Sequence, residues 1–413
     1  DTDVFMKYHL AGAYDSNIAL LLTVGQGRLE SYRNMAETLR TTVLRGKDLS
    51  TNLEFHYGLV NWFLGNNINA RPTTRFIVPY LTAVGSLKQK ADELDLPFAY
   101  QQISKRCLDS AESDLAPELK TVLQRKHLLL TRPIASLIEQ PHVLAGWLSI
   151  NQSSFEVTDG RVQWLENPIK VLANAYHYLN MDYIEGNDAA DMIWSHDHKI
   201  LSDALAFYQA LESRLGTSSF QETEAQLAGD KPGGNIPQEQ WKAVQAAHRG
   251  YQAGCEILSL LPLLAEHTHY FALAVNADLS IHIPESLLDT DHQDRMRKVL
   301  APPPVAASDE ILAATGGMFY GREAPGMETF VKPGSHFEAG DPLYIIEVMK
   351  MFNKVYAPFA GTIDEVLLEE DGAIISKGQT LFKITPDEMI VESSAADIQA
   401  QHRASTSQFL DSL

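Results

Sequence analysis

Apolar residues recur at helical spacing along most of the chain and form strand-like runs mainly toward its two ends. Over 29–44, Leu29, Tyr32, Met35, Leu39 and Val43 fall three or four apart, which predicts an amphipathic helix ended by Gly46. Residues 50–65, STNLEFHYGLVNWFLG, repeat the pattern, with Ser50 or Thr51 as N-cap and Gly65 as the stop. Ahead of both, AYDSNIALLLTVG (13–25) is an apolar run closed by Gly25 and predicts a strand. From 91 to about 300 the segments 115–130, 167–180, 188–215 and 237–266 predict a mostly helical region, broken by the loop GDKPGGNIP (229–237). Alternation in HYFALAVNADLSIHIP (269–284) predicts a short β element.

The pattern changes at APPPVAAS (301–308), a proline–alanine stretch that predicts a semi-rigid tether. Beyond it, 311–386 is rich in glycine, valine, isoleucine and aromatics and predicts a compact all-β module; 387–413 is a polar, poorly patterned tail. The expected organisation is multidomain: an α+β segment over 1–90, a helical middle over 91–300, a tether over 301–310, the β module over 311–386, then the tail. A length of 413 residues and 45% apolar content suit two or three domains with real cores. A net charge of −20 argues against nucleic acid or an anionic membrane surface as partner. The longest apolar run, ILSLLPLLA (257–265), is too short to span a bilayer. No signal peptide is visible, and two distant cysteines, Cys107 and Cys255, fit a reducing cytoplasm. The chain opens without methionine inside a strand-like run, so a fragment of a longer protein is expected.

Candidate chemistry lies in IIEVMKMFNKVYAPFAG (345–361), where Lys350 stands between Met349 and Met351 in a run that otherwise reads as buried strand. A buried ammonium is costly unless it reaches solvent or loses its charge. The module is duplicated: VKPGSHFEAGDPLYII (331–346) aligns with EEDGAIISKGQTLFKI (369–384) at an offset of 38. Gly334 falls on Gly372, Phe337 on Ile375, Gly340 on Gly378, Leu343 on Leu381 and Ile346 on Ile384. Such a repeat predicts two similar half-sheets packed as a sandwich. It puts Met349-Lys350 at a hairpin tip, where a non-glycine pair is poorly suited and costs roughly 1–3 kcal/mol, the kind of strain that marks functional positions.

EVMKM followed by APFAGTI resembles the biotinyl domain of biotin-dependent carboxylases, a flattened sandwich of the biotinyl/lipoyl type. The resemblance implies covalent biotin on Lys350, with Met349 and Met351 flanking it. Amide formation would remove the charge and lengthen the side chain into an arm. An extra loop, Gly321–Thr329, resembles the thumb of bacterial acetyl-CoA carboxylase carrier domains. YDSNIALLLTVG (14–25), MAETLRTTVLRG (35–46) and STN (50–52) are similar to the last part of biotin carboxylase, although Ala19 and Leu20 replace the Gly-Lys pair common there. The resemblance implies a component of an acyl-CoA carboxylase, a ligase, with ATP and Mg bound in an N-terminal part before residue 1. A carboxyltransferase, biotin protein ligase and, indirectly, an acyl-CoA are the implied partners, in an oligomeric, cytoplasmic assembly of fatty acid metabolism. A lipoyl carrier of a 2-oxoacid dehydrogenase complex is the alternative, and the two methionines count against it.

No catalytic or metal-ligating residue is assigned. GQGR (25–28) is too short for a phosphate loop. Asp15, Arg28 and Arg33 suit the completion of an ATP site, not its construction. His196 with His198, and His267 with His269, lack the further ligands of a metal site, and His142 and His177 read as core or surface. Trp147, Trp164, Tyr176, Tyr178, Tyr183 and Trp194 read as core.

Overall fold

A computed structural model of the chain describes residues 18–44, 46, 51–182, 189–301, 305–307, 309–348, 351–368, 370–387 and 395–412. The first helices are α1 (Arg28–Thr41), α2 (Leu53–Gly65), α3 (Ile77–Ala91), α4 (Leu96–Asp109), α5 (Ala116–Glu139) and α6 (Pro141–Asn151). A hairpin of β1 (Phe155–Thr158) and β2 (Arg161–Trp164) precedes α7 (Pro168–Tyr178), α8 (Ala189–Leu215), α9 (Phe220–Leu227), α10 (Gln238–Gln252) and α11 (Leu260–His267). Then come β3 (Ala274–Val275), β4 (Ile281–His282) and α12 (Thr290–Leu300). The expected short β element is therefore present as β3 and β4, paired antiparallel.

Local chemistry explains several departures from the pattern. The segment expected to be one helix over 237–266 breaks between α10 and α11, where Gly254 turns left-handed (φ 80) ahead of a short 3-10 turn. α1 ends at Thr41, short of Gly46, and leaves Leu29 and Val43 exposed, while Leu39 is buried. α2 starts from Asn52 with no side-chain cap on the helix; Thr51 only accepts from the Leu53 amide at 3.4 Å, and Ser50 lies outside the described residues. The strand expected over 13–25 is not formed in its described part, 18–25. Leu20, Leu22 and Val24 are 80–88% exposed there, and the segment bonds to α1 through Thr23 and Ser31 instead of joining a sheet.

The helical body has one core cluster running from Leu39 to Leu410, with Trp62, Trp147, Tyr80, Val84 and Leu87 fully buried. The boundary expected at residue 90 falls at the end of α3 but not at a gap in the core. α2 and α6 pack tightly: a Cβ on Gly58 would lie 2.2 Å from the His142 carbonyl oxygen, and one on Gly65 2.1 Å from that of Ser149. Gly65 thus serves close approach as well as termination. Tyr176 and Tyr178 are buried with Trp147, as expected; Tyr183 and the side chain of Trp194 lie outside the described residues.

Beyond α12 the chain forms β5 (Val305–Ala307), β6 (Glu310–Leu312), β7 (Gly317–Tyr320), β8 (His336–Phe337), β9 (Pro342–Val348), β10 (Met351–Tyr356), β11 (Gly361–Val366), β12 (Ala373–Ile375) and β13 (Thr380–Pro386). One sheet has the order β10-β9-β7-β12 and the other β5-β6-β13-β11-β8. Their facing side chains make a second core of Phe319, Phe337, Tyr344, Ile346, Ile363, Leu381, Phe382 and Ile384. The C-terminal region is an all-β sandwich, as the sequence predicts.

Two expectations change here. The tether is shorter than 301–310, because β5 pairs with β6 (Val305 opposite Leu312, Ala307 opposite Glu310). The tail is not patternless either: Ala395–Leu410 form α13, which buries Thr406, Phe409 and Leu410. Its small and polar residues hid the helix, since its apolar contact with the body is a short patch at its end and the other contacts are polar.

Candidate functional site

The duplicated frame is kept in atomic detail. Gly334, Gly340, Gly372 and Gly378 all take positive φ (80–92°), a conformation that costs a side-chain-bearing residue dearly. The amide of Gly334 donates to the Ile363 carbonyl and that of Gly372 to Phe319, each at 2.7 Å. Likewise Gly340 donates to Ala357 and Gly378 to Ala313, each at 2.7 Å. Phe337 and Ile375, Leu343 and Leu381, and Ile346 and Ile384 are buried as matched pairs. Under this symmetry β9 corresponds to β13 and β10 to β6. The β9–β10 hairpin end thus lies opposite the end where β6 begins and β13 finishes, while β5, antiparallel to β6, starts at Val305 beside Leu312, on the hairpin side.

β9 and β10 pair antiparallel in register up to Val348 opposite Met351. Two residues of chain, Met349 and Lys350, connect them; both lie outside the described residues, as does the side chain of Met351. What is described is their support. Tyr320 on β7 donates its hydroxyl to Glu347 Oε2 at 2.6 Å, and this carboxylate pushes the phenol up to about 12. The pair fastens β7 to the last turnward residues of β9. Phe352, 58% exposed, lies with its ring centroid 5.7 Å from that of Tyr320.

The loop 321–329 folds over the outer face of this hairpin. Arg322 and Thr329 form an antiparallel bridge, and the Phe330 amide donates to the Gly321 carbonyl at 2.8 Å. Asp371 clasps the base: Oδ1 accepts from the Gly321 amide at 2.8 Å and Oδ2 lies 2.6 Å from Arg322 Nε. Glu323 Oε2 reaches Lys354 Nζ of β10 at 2.6 Å. Ile345, whose register partners are Tyr320 and Lys354, is buried on that face without belonging to the core cluster.

Glu347, Tyr320, Asp371 and Lys354 were not singled out by sequence reasoning. Asp371 was visible in it, since it stands beside Gly372 at the repeat turn where the first copy has Pro333. The helix α8 carries exposed His196 and His198 on either side of buried Asp197, which pairs with Arg132 at 2.7 Å and accepts from Tyr176 at 2.8 Å. Among the described residues no group of three or more His, Cys, Asp or Glu is placed to hold a metal ion. His267 lies with its ring tilted against that of Phe409, exposed His177 meets Asp182 at 2.7 Å, and half-buried His142 packs edge-on to Phe55, where burial lowers its pKa to about 4. Arg28 and Arg33 are exposed on α1, and Asp15 lies outside the described residues. Among the described residues no helix is long and apolar enough to cross a membrane.

Residues 310–384 match the family described as "Biotin-requiring enzyme". The biotin carboxyl carrier protein of acetyl-CoA carboxylase from Nostoc sp. is 35% identical over 78 residues, covering 19% of this chain and 42% of that protein. The chloroplastic biotin carboxyl carrier protein of acetyl-CoA carboxylase 2 from Arabidopsis thaliana is 44% identical over 70 residues, 17% of this chain and 27% of that one. The chain thus spans less than half the length of these curated relatives. A solved structure described as a single-chain, multi-domain long-chain acyl-CoA carboxylase matches 35% of this chain and 13% of its own at 24% identity, with a TM-score of 0.16. The C-terminal sandwich, over residues 310–384, is a domain of the biotin-requiring-enzyme type.

Proposed function

We propose that this chain is the carrier component of a biotin-dependent carboxylase and holds biotin through an amide on Lys350. The observation that carries the reading is the pairing of Val348 with Met351, which leaves two residues to turn the chain at the end of a supported hairpin. The fit to the group is good. The hairpin ends opposite the point where β13 leaves the sandwich, and Glu347, Tyr320 and the clasped loop stiffen the strands on either side. Biotin, when bound, supplies a ureido ring that takes up carboxylate at one active site and gives it up at another. The protein's task is positional: the sandwich presents the end of β9 as one rigid unit, and loop 321–329 is held against that face by Glu323 and Lys354.

In this reading Met349 and Met351 flank the modified lysine, biotin protein ligase attaches the group, and a carboxyltransferase acting on an acyl-CoA is the downstream partner. The segment 1–90 is the closing part of a biotin carboxylase whose ATP and Mg ligands lie on preceding sequence, and 91–300 is a helical mediator. The Met-Lys-Met sequence favours biotin over a lipoyl group. The test supplies the chain, treated with ligase and biotin, with a separate biotin carboxylase, ATP and labelled bicarbonate. Acid-labile label should join the protein only when all are present, and omission of the added carboxylase should abolish it. Label acquired without that carboxylase, or after treatment with lipoate ligase in place of biotin ligase, would overturn the assignment.

A further inference from the structure

The C-terminal helix has a consequence for how far the carrier can travel. α13 returns from the sandwich to the helical body and docks on α4 and α11. Thr406 Oγ1 accepts from the Asp95 amide at 2.9 Å, and Arg403 Nε lies 3.3 Å from Asp95 Oδ2; the same carboxylate caps α4 by accepting from the Phe98 amide. Arg106 donates to the Leu410 carbonyl at 2.6 Å, and the Phe409 ring lies 4.6 Å from His267. Thr406 and Leu410 are at most 1% exposed, so the helix end is built into the core.

The other end is short. With β5 paired to β6, the link from Ala301 to Val305 is four Cα steps, a span of at most roughly 14 Å. The link from Asp387 to Ala395 is eight steps, at most roughly 28 Å. Between these anchors the sandwich touches α12: Lys298 Nζ donates to the Gly340 carbonyl at 3.1 Å and stands 4.2 Å above the Tyr356 ring. α12 is itself fixed on α3, where Met296 fills the space over Gly85. Gly340 and Tyr356 belong to the end of the sandwich away from the β9–β10 turn, so the hairpin end stands about 20 Å from this contact, six residues along β9 at ~3.4 Å each.

We propose that α13 is a second anchor that closes the carrier into a loop, and that Lys298 marks the position on α12 where the Gly340 end of the sandwich rests. The short link holds the module at Val305 and the longer one at Asp387, so longer excursions require β5 to peel from β6 or α13 to leave α4. The purpose of the arrangement rests on the carrier reading, but the holds exist whether or not Lys350 is modified.

The test uses the full chain, unmodified, and reads ¹⁵N relaxation of amides in 310–386 against those of the body. A protease site placed within 388–394 allows the loop to be cut while α13 stays seated, checked by co-elution of the released peptide with the body. In Lys298→Ala with the loop intact, the module should still tumble with the body; after the cut its local correlation time should fall several-fold. Independent tumbling in the uncut wild type or in uncut Lys298→Ala, or no change on cutting Lys298→Ala, would overturn the proposal. Because biotin is absent throughout, these results are separate from the fate of the carrier assignment.

Discussion

Replacing one glycine of the repeat by alanine gives a clean measure of what the duplicated turns contribute. Gly334 and Gly372 have φ of 81° and 83°, and their amides bond to equivalent carbonyls at 2.7 Å. A Cβ on Gly334 meets nothing within 4 Å, and one on Gly372 meets only Met318 Cε at 3.9 Å. The cost is therefore backbone strain alone, about 1–2 kcal/mol at each site. The five tryptophans all precede residue 242, so fluorescence does not see the sandwich, and hydrogen exchange is the suitable readout. Amides of β9 and β13 should exchange about 5–30-fold faster in Gly334→Ala, and by a similar factor in Gly372→Ala. The double variant should approach the sum, roughly 2–4 kcal/mol, and Gly334→Asn should cost less than Gly334→Ala because asparagine tolerates the left-handed region. Unchanged exchange in Gly334→Ala, or a large inequality between the two single variants, would refute the symmetric account of the turns.

Asp371→Ala should loosen loop 321–329 selectively: exchange at the Phe330 amide rises, while the sandwich loses about 1 kcal/mol or less, since the Arg322 pair is partly exposed. His336 has its pKa raised, first by its hydrogen bond to Asp387 and then by the charges of Asp387, Glu338 and Asp341. A raised folded pKa means that its contribution is fully present below the ordinary histidine value and fades as pH climbs through the folded value. An NMR titration should find His336 above the usual histidine range in the wild type and nearer to it in Asp387→Asn.

The sandwich was the most legible part of the sequence, because positive-φ glycines and paired apolar positions leave a periodic signature that a single chain displays. Lys350 was singled out by the same frame. The support around it was hidden: Glu347 acts through Tyr320 of β7, and Asp371 and Lys354 through loop 321–329, partners far away in sequence that a single chain does not reveal. The β1–β2 hairpin was missed although Asp159-Gly160, both left-handed, form the Asp-Gly turn that favours it. In α13, Thr406, Phe409 and Leu410 are buried near its end and Arg403 pairs with Asp95, too few apolar positions for periodicity to register. The run 18–25 misled in the opposite sense, since apolar β-prone residues predict a strand whether or not a neighbour is present to pair with it.

The central claim is that Lys350 carries biotin, and intact mass tests it most directly. The chain and its Lys350→Arg variant are each incubated with biotin protein ligase, ATP and biotin. The wild type should gain the mass of one biotinyl group and the variant none, since arginine keeps the charge but offers no acylable amine. A wild type that gains nothing, or a variant that still gains one group, would contradict the account.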